Sequence, residues 1–512
     1  MGLRICLRVL EAADSGDVLG DGRSAQLPAI PGRAWIKSAT DASGKLVQFA
    51  WIARPRQAEQ LAQLCRAAWN PPCLPRLPWA PPLPPHIALS QLPLAAEKAV
   101  LGLGDYPGRQ CTAPLLVPLP FSLHLVGSVG SGRSSLALML ALQLANRGYE
   151  VHVICRAAQE FFGTSFSNEH EKTWPGTVAT SPQIALELLE RASRGHLSGT
   201  LIIDDCEDLL DSLERAYGPL AGTDLLAGLC RQSEALGFSL LIISGPSGAS
   251  LRLFQGLKTQ IVGGIRDGVQ AAQAGFTPRV LEQISGAGVF VLSPSREATP
   301  FRAAAVPPPR PDNFLTAPRL RLHALPKQFF LPELTAMEGA RKNFALGLKG
   351  PVPLDESDLL RDWLIIGENG SGKTNTVRLL ANLLPDHQVL ANLSAQDPRL
   401  TPDVGVLAPP GPQPKTDLSP PLHPPQTQTK RAPLIASVSP QILQTTFSGP
   451  LAELRTQARL IVLGSATQCR PFLKGVDCEA LPDQIGLVPG RGILIKEGKG
   501  LAIQLPVSSK LH

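Results

Sequence analysis

The sequence GENGSGKT at residues 367–374 directly follows the apolar run at 363–366 and has the complete form G-x-x-x-x-G-K-[ST]. A glycine-rich turn lets backbone N–H groups converge on phosphate oxygens, and the helix that follows adds the positive end of its dipole. The lysine reaches the β- and γ-phosphates, and the last hydroxyl binds Mg²⁺. Thr374 is therefore the expected magnesium ligand here. The residues predicted to contact phosphate are Gly367, Gly370, Ser371, Gly372, Lys373 and Thr374.

A near-copy of this loop, GSVGSGRS, stands at residues 127–134 after the apolar run at 122–126. Its seventh position is Arg133, which keeps the positive charge but replaces a compact ammonium group by a broad planar fork. Phosphate binding is predicted here too, whereas efficient hydrolysis is disfavoured. Ser134 is the expected magnesium ligand. The residues predicted to contact phosphate are Gly127, Gly130, Ser131, Gly132, Arg133 and Ser134.

Hydrolysis of a nucleoside triphosphate also needs carboxylates at the end of a neighbouring strand. Residues 200–210, TLIIDDCEDLL, supply an apolar strand that ends in Asp204 and Asp205. We predict that both are catalytic, with Asp204 on the magnesium side and Asp205 in the place that orients the attacking water. The same acids, with Glu207 and Asp208, also suit a helix N-terminus, where the dipole favours negative charge. The two interpretations are compatible.

The second copy has no counterpart of this acidic strand in its sequence. After the loop helix come residues 388–393, and then 395–431, which hold two proline-rich clusters and no apolar run that ends in acid. The next predicted strand is 433–437, which parallels 240–244 of the first copy. We therefore expect the second copy to bind nucleotide without a catalytic carboxylate of its own.

Length and composition limit the number of domains and the class of protein. The 512 residues predict about three domains, and a hydrophobic content of 44% is enough for globular cores. A formal net charge of +6 permits an anionic partner without requiring one. Nine scattered cysteines without metal-type spacing indicate buried thiols in a reducing cytoplasm. No apolar run is long enough to span a membrane, and no signal peptide is predicted.

The chain repeats itself. Both copies close on a similar segment, SGAGVFVL at 285–292 and PGRGILIK at 489–496, and PGRAWIK at 31–37 resembles the same ending. Proline-rich stretches separate the pieces. The predicted pieces are a tail fragment at 1–54, a proline-rich linker at 55–90, a phosphate-loop domain at 91–305, a linker at 306–325 and a shorter phosphate-loop domain at 326–508.

The first copy alternates short apolar segments with helices, which predicts a parallel sheet covered on both faces. Ligands bind at the carboxyl ends of such strands, where the loop stands. The predicted fold class is α/β, with tandem RecA-like P-loop NTPase domains whose mostly parallel sheets are flanked by helices. The strands are expected at 122–126, 150–155, 200–204, 239–244, 260–263 and 289–292.

The organisation resembles the FtsK/SpoIIIE family of ring-forming P-loop ATPases, in particular its multi-domain actinobacterial members and EccC, the ATPase of type VII secretion. Three segments carry the resemblance: 3–20, with Asp14 and Ser15 where the family has its Asp-Ser; the acidic segment 200–210; and the ending 489–495 with the strand at 500–506. The resemblance implies ATP and Mg²⁺ as cofactors. It assigns this chain to the C-terminal tandem domains, without the membrane anchor and the complete first motor domain.

The chain also departs from the family pattern. The family has lysine where Arg133 stands and usually glutamate where Asp205 stands. Its Thr-Gln pair after the sensor strand is replaced by Ser244 and Gly245, and in the second copy by Ser437 and Val438. In EccC-like proteins the downstream ATPase domains are often degenerate, hold nucleotide, and regulate the first domain or dock secreted substrate. The departures place this chain with those domains and leave open whether either site hydrolyses ATP.

Three hypotheses follow. The first is an ATP-binding regulatory or substrate-docking module of a translocase or secretion machine, with weak or no turnover. The second is an active DNA-translocating ATPase of chromosome or plasmid segregation or transfer, against which no basic-aromatic stripe stands out. The third is an interaction scaffold that binds no nucleotide.

The resemblance also implies partners and a location. The expected partners are a membrane-anchored motor subunit or further copies of the chain in a ring, together with a secreted protein substrate or DNA. The expected location is the cytoplasm, with peripheral association at the inner face of the cell membrane. The nature of the cargo and the oligomeric state stay open at this stage.

Overall fold

The computed structural model describes residues 2–38, 41, 43–50, 55–69, 79–247, 252–257, 259–265, 267–273, 288–293, 299–306, 320–336, 343–400, 432–479, 481 and 488–507. The chain forms two compact units, Met1–Pro78 and Trp79–His512. Residues 307–319 of the predicted linker at 306–325, the start of the ending at 285–287 and most of the proline-rich segment 395–431 lie outside the described residues. No helix in the described part is long and apolar enough to cross a membrane.

The first unit contains a three-stranded antiparallel sheet in the order β1-β2-β3. Its elements are β1 (Leu3–Leu7), α1 (Ala12–Leu19), β2 (Arg33–Ser38), β3 (Lys45–Gln48) and α2 (Pro55–Ala68). Helix α2 lies within the range that the sequence assigns to the proline-rich linker. The domain boundaries proposed from the sequence stay predictions.

The second unit begins with a ten-stranded sheet in the order β5-β4-β13-β12-β11-β6-β10-β9-β7-β8. Its strands are β4 (Lys98–Tyr106), β5 (Cys111–Pro118), β6 (Ser122–Gly127), β7 (Val151–Ile154), β8 (Val178–Ala179), β9 (Thr200–Ile203), β10 (Ser239–Ser244), β11 (Thr259–Gly263), β12 (Val289–Ser293) and β13 (Thr299–Ala303). Its helices are α3 (Arg133–Ala145), α4 (Ala158–Phe162), α5 (Asn168–Thr173), α6 (Pro182–Ser193), α7 (Cys206–Tyr217), α8 (Thr223–Gln232) and α9 (Gly268–Gln273).

The centre of this sheet is parallel and buried on both faces. Strand β6 pairs in parallel with β10 and β11, β10 with β9, and β9 with β7. Leu201, Ile202 and Ile203 of β9 are all fully buried, as expected for strands with helices on both sides. All six strands predicted from the apolar segments are present, and the α/β fold class is confirmed.

The second domain has a nine-stranded sheet that includes the order β15-β14-β22-β21-β19-β16-β18-β17. Its strands are β14 (Asn343–Gly347), β15 (Gly350–Pro353), β16 (Trp363–Ile366), β17 (Gln388–Leu390), β18 (Leu434–Val438), β19 (Arg459–Leu463), β20 (Asp477–Cys478), β21 (Arg491–Lys496) and β22 (Lys499–Gln504). Its helices are α10 (Leu331–Ala336), α11 (Lys373–Leu383), α12 (Pro440–Thr445), α13 (Pro450–Gln457) and α14 (Ala466–Cys469).

One strand distinguishes the two sheets next to the phosphate loops. In the first domain β9, the acidic strand, lies between β10 and β7. In the second domain β18 pairs in parallel with the loop strand β16 on one side and with β17 on the other. Among the residues described here, the second sheet therefore has no strand in the place of β9, as the sequence predicts.

The two domains of the second unit share one apolar cluster and a connecting segment. We call residues 320–326 the strap. The hydroxyl of Thr177 donates to the carbonyl of Leu320 at 3.2 Å and accepts the N–H of Leu322 at 3.1 Å. At the other end, Nη2 of Arg491 donates to the carbonyls of Leu325 and Pro326 at 2.7 and 2.8 Å. The strap is thus hydrogen-bonded to both domains.

Candidate functional site

The phosphate loop of the second domain lies at the carboxyl end of β16 and leads into α11. Gly370 and Gly372 have φ angles of 83° and 95°, which only glycine adopts without strain. Gly367 has no room for a side chain, because a Cβ there would overlap the hydroxyl of Ser371. That hydroxyl is buried and has no hydrogen-bond partner among the residues that the structure describes. An orphaned polar atom inside a glycine-lined turn fits the oxygen-rich phosphate chain of ATP.

Lys373 is the first residue of α11 and stands beside this turn. Burial lowers the pKa of Lys373, and the nearby Glu368 opposes this shift. No ion pair or hydrogen bond holds its ammonium group in the described part of the chain. Glu368 is engaged elsewhere, because Nε2 of Gln441 donates to it from α12. The lysine is therefore available to an anionic ligand.

In the loop of the first domain, the side chain of Arg133 bonds groups of the protein itself. Nη1 of Arg133 donates to the carbonyl of Gly127 at 3.1 Å, and Nη2 lies 2.5 Å from Oδ1 of Asp205. The side chain of Arg133 is 12% exposed, whereas that of Asp205 is 50% exposed. The planar fork of arginine can hold two acceptors at once, which a lysine ammonium does less readily. The cation expected to meet phosphate is thus already neutralised within the protein.

Asp205 holds an unusual backbone conformation at the point where β9 gives way to α7. Its φ and ψ are 48° and 68°, in the left-handed region that non-glycine residues seldom enter, although aspartate does so more often than most. It occupies the N-cap position of α7, whose first turn carries Glu207 and Asp208. The helix-terminus interpretation and the paired-acid interpretation therefore apply to the same residue.

Asp204 and Ser134, two of the three predicted magnesium ligands, are brought together in the first domain. Oγ of Ser134 lies 3.3 Å from Oδ1 of Asp204. Burial raises the pKa of Asp204 to about 6, the charge of Asp205 adds to the rise, and Arg133 and Ser134 oppose it. A hydroxyl beside a carboxylate is a ligand set that suits Mg²⁺. The third predicted ligand, Thr374, lies in the other domain and has no such carboxylate in the described residues.

Two contacts around the first loop were not predicted from the sequence. Nε2 of the buried His124 lies 2.7 Å from the hydroxyl of Ser244 at the end of β10, and burial lowers the pKa of this histidine to about 4. Oε1 of Glu207 accepts the N–H of Gly245 at 2.8 Å. Both hold the end of β10 in place. Two features of the sequence could have indicated these contacts. One is a histidine within the apolar loop strand, and the other is an acid in the first turn of α7.

The strand register corrects one sequence prediction. Ser244 of β10 stands opposite Val126, the residue before the first loop. In the second domain Val438 stands opposite Ile366, which precedes the second loop. Val438 therefore occupies the place that the sequence assigned to Ser437.

No protein-family model matches the sequence, and no curated protein matches it. The solved structures that are similar include EssC and EccC. EssC (ATPases 2 and 3) from Geobacillus thermodenitrificans is 14% identical, covers 84% of this chain and 100% of its own, and has a TM-score of 0.48.

Two structures of EccC from Thermomonospora curvata are also similar. The cytoplasmic domain of this type VII secretion ATPase is 17% identical over 99% of this chain and 74% of its own, with a TM-score of 0.47. ATPases 2 and 3 in complex with a signal sequence peptide are 15% identical over 84% and 97%, with a TM-score of 0.42.

Proposed function

We propose that this chain is a nucleotide-binding module of an FtsK/SpoIIIE-like translocase or secretion ATPase, with a regulatory or substrate-docking role and weak or no turnover. The observation that carries the proposal is the division of the catalytic parts between the two domains. Among its described residues, the second domain has the free lysine, Lys373, and no acidic strand. The first domain has Asp204 and Asp205, while its loop cation is bound to Asp205.

Binding of ATP is assigned to the second domain. The glycines at 367, 370 and 372 and the orphaned Ser371 hydroxyl form the cradle, and Lys373 supplies the charge. Thr374, exposed at the start of α11, would hold Mg²⁺ together with the phosphates. Hydrolysis additionally requires a carboxylate to organise the metal and the attacking water. Without one in the described residues, the expected outcome is tight binding with slow turnover.

The first domain is proposed to bind nucleotide weakly. A phosphate group entering its loop must displace Asp205 from Arg133 or share the cation with it. The ionised carboxylate of Asp205 also repels the incoming phosphate charge. Ser134 and Asp204 would hold Mg²⁺ once nucleotide is present. This domain therefore acts as a site that responds only at high nucleotide concentration.

The proposed setting is the cytoplasmic side of a secretion machine. One similar EccC structure contains a signal sequence peptide bound to its ATPases 2 and 3. By analogy, we propose a secreted protein as the substrate that this chain docks. The repeated loop-and-ending organisation supports a tandem arrangement derived from one kind of domain.

The test is equilibrium binding of a fluorescent ATP analogue with Mg²⁺ to the full chain. Lys373→Ala removes a charge-assisted contact worth about 1.5–3 kcal/mol and is expected to weaken binding about tenfold or more. Arg133→Ala is expected to change the affinity of the tight site less than about twofold. Lys474→Ala, at an exposed lysine away from both loops, is the matched control and should bind like the wild type.

Hydrolysis by the same protein decides between the functions. Turnover is expected to fall below the range of about 1–10³ per second that is typical of enzymes, with or without DNA. Turnover within that range, stimulated by DNA and lost in Asp204→Asn, would instead support the DNA translocase. No measurable analogue binding, by the wild type and by Lys373→Ala alike, would favour the scaffold that binds no nucleotide.

A further inference from the structure

The closing turns of the chain share one backbone geometry in three places. In each, a glycine with φ between 76° and 79° accepts a hydrogen bond, over 2.8–2.9 Å, from the backbone N–H of the last residue of the closing strand or of the residue after it. In the second unit the same glycine donates its own N–H to a serine carbonyl of the phosphate loop. These donor–acceptor pairs are Gly288 with Ser131 and Gly490 with Ser371, at 3.0 and 2.8 Å. The third turn glycine is Gly32.

The match between the first unit and the second domain extends to side chains. Nε2 of Gln504 donates to the carbonyls of Pro489 and Leu505 at 2.9 and 3.2 Å. Nε2 of Gln48 donates to the carbonyls of Pro31 and Phe49 at 2.8 and 3.2 Å. Two separate segments with the same turn and the same side-chain bonds are built as the same structural part.

The strand register is also the same. In the second domain β19 pairs antiparallel with β21, with Leu463 opposite Gly492, the second residue of that strand. In the first unit β1 pairs antiparallel with β2, with Leu7 opposite Ala34, again the second residue. Strand β19 pairs on its other edge, in parallel, with the loop strand β16. Strand β1 has no neighbour on that edge among the described residues of its unit.

The apolar face of β1 is exposed to solvent, whereas the corresponding face of β19 is buried. Ile461 and Leu463 are 0% and 1% exposed and pack in one cluster with Val377 and Leu380 of α11. At the corresponding register positions of β1, Ile5 and Leu7 are 44% and 53% exposed. Exposed apolar side chains in a row beside an unpaired strand edge mark a surface for strand addition.

We propose that the edge of β1 with Ile5 and Leu7 binds a parallel strand that is followed by a phosphate loop and an amphipathic helix. The occupant is chosen because both other copies of this structural part hold that segment on the same edge. Gly32 would donate its N–H to the loop carbonyl, as Gly288 and Gly490 do. In this way the first unit completes a third nucleotide-binding sheet with its partner segment. The proposal does not depend on nucleotide binding by this chain.

The test uses the full chain and a synthetic peptide of residues 362–385, which contains β16, its loop and α11. Amide hydrogen exchange of residues 3–7 is expected to slow about tenfold or more when the peptide is added, because strand pairing protects these amides. A peptide of the same composition in scrambled order is the control. Unchanged exchange at saturating peptide would overturn the proposal.

Two surface variants sharpen the test. Ile5→Asp places a charge on the face to be covered and should weaken peptide binding about tenfold or more. Leu10→Asp is the matched control, because Leu10 is 89% exposed and lies beyond β1. Equal binding by both variants contradicts the proposal. Concentration-dependent self-association that protects residues 3–7 without peptide also overturns it, since a second copy of the chain would then be the occupant.

Discussion

Arg133 and Lys373 hold the same place in two similar loops and behave differently because their cations differ in shape. A guanidinium group is planar and carries five donors, so Arg133 bonds Gly127 and Asp205 together. An ammonium group is compact and strongly hydrated, and Lys373 stays available at the mouth of its loop. One substitution therefore converts a phosphate ligand into part of an internal ion pair.

Replacing Asp205 by asparagine is expected to strengthen nucleotide binding in the first domain. The change frees Arg133 and removes a negative charge from the phosphate position. In a Lys373→Ala background, where the second site is silent, affinity for an ATP analogue should rise about threefold to tenfold. Asp208→Asn, one helical turn away in the sequence, should leave the affinity unchanged. Equal effects of the two substitutions would show that the ion pair does not control access.

The buried Asp204 predicts a pH-dependent stability. Its folded-state pKa of about 6 lies above the ordinary 3.8, so the ionised carboxylate destabilises the fold. This cost is fully present above about pH 6 and fades as the pH falls through the window between these two values. Asp204→Asn should therefore raise the free energy of unfolding by about 1–3 kcal/mol at pH 8, and by less at pH 5.

Urea unfolding at the two pH values measures this difference. Asp224→Asn serves as the control, because no buried carboxylate is involved there. A stabilisation that is the same at pH 8 and pH 5 would mean that the neutral amide acts through packing rather than through charge.

The sequence predicts that some of these residues lie close together, and the reason is geometric. The carboxyl ends of neighbouring parallel strands meet at one edge, so a loop after β6 and an acid after β9 must come close, as Ser134 and Asp204 do. The partner of Arg133 depends on side-chain rotamers and on the left-handed backbone of Asp205. Neither follows from a pattern of residue types.

At the scale of elements, the closing turn at Gly490 packs directly against the phosphate loop of the second domain. The N–H of Gly490 donates to Ser371 within the loop, and a Cβ on Gly372 would meet the backbone of Gly490. The turn and the loop are therefore fitted to each other without side chains between them. The repeated pairing of loop and ending in the sequence has this contact as its physical basis.

Gly490→Ala is expected to destabilise the second domain and to weaken ATP binding. The backbone φ of 79° costs about 1 kcal/mol for alanine, and the new methyl group would approach the Leu505 carbonyl at 3.1 Å. Gly498→Ala is a matched control, because its φ is 76° and its Cβ would meet nothing within 4 Å. Thermal unfolding should show a larger loss for Gly490→Ala, and analogue binding should fall only for that variant.

The elements themselves were predictable to different degrees. The parallel strands were found because each is a short apolar run between helices. The lack of a β9 equivalent among the described strands of the second domain was predicted because no apolar run ends in acid after α11. The antiparallel edge made by β4, β5 and β13 was missed, since hairpin pairing at a sheet edge leaves a weaker hydrophobic pattern.

At the scale of the whole second unit, polar contacts fix one domain on the other. The hydroxyl of Tyr217, at the end of α7, donates to the carbonyl of Leu481 at 2.9 Å. Glu479 lies 3.2 Å from Lys349 and 3.8 Å from Arg191 of α6. Because α7 begins directly after Asp205, the partner of Arg133, one helix runs from the first loop to the contact with the second domain.

Tyr217→Phe is expected to loosen the contact between the two domains. It removes a part-buried hydrogen bond to the carbonyl of Leu481, worth about 1 kcal/mol. Limited proteolysis near residue 481 should become a few times faster, while analogue binding at Lys373 stays the same. Tyr149→Phe, at a partly exposed tyrosine of the first domain, is the matched control. Equal rates for the two variants would show that this hydrogen bond does not hold the interface.

The strap determines where this protein can be divided. Thr177 of the first domain binds the first residues of the strap, and Arg491 of the second domain binds its last residues. The strap is therefore part of both domains. A gene fragment that starts after residue 326 would lose the two acceptors of Arg491 and uncover apolar surface that Leu322 shields. One that stops before residue 320 would leave Thr177 without both partners. When related genes lose, fuse or exchange segments, the two domains and the strap are therefore expected to be inherited together.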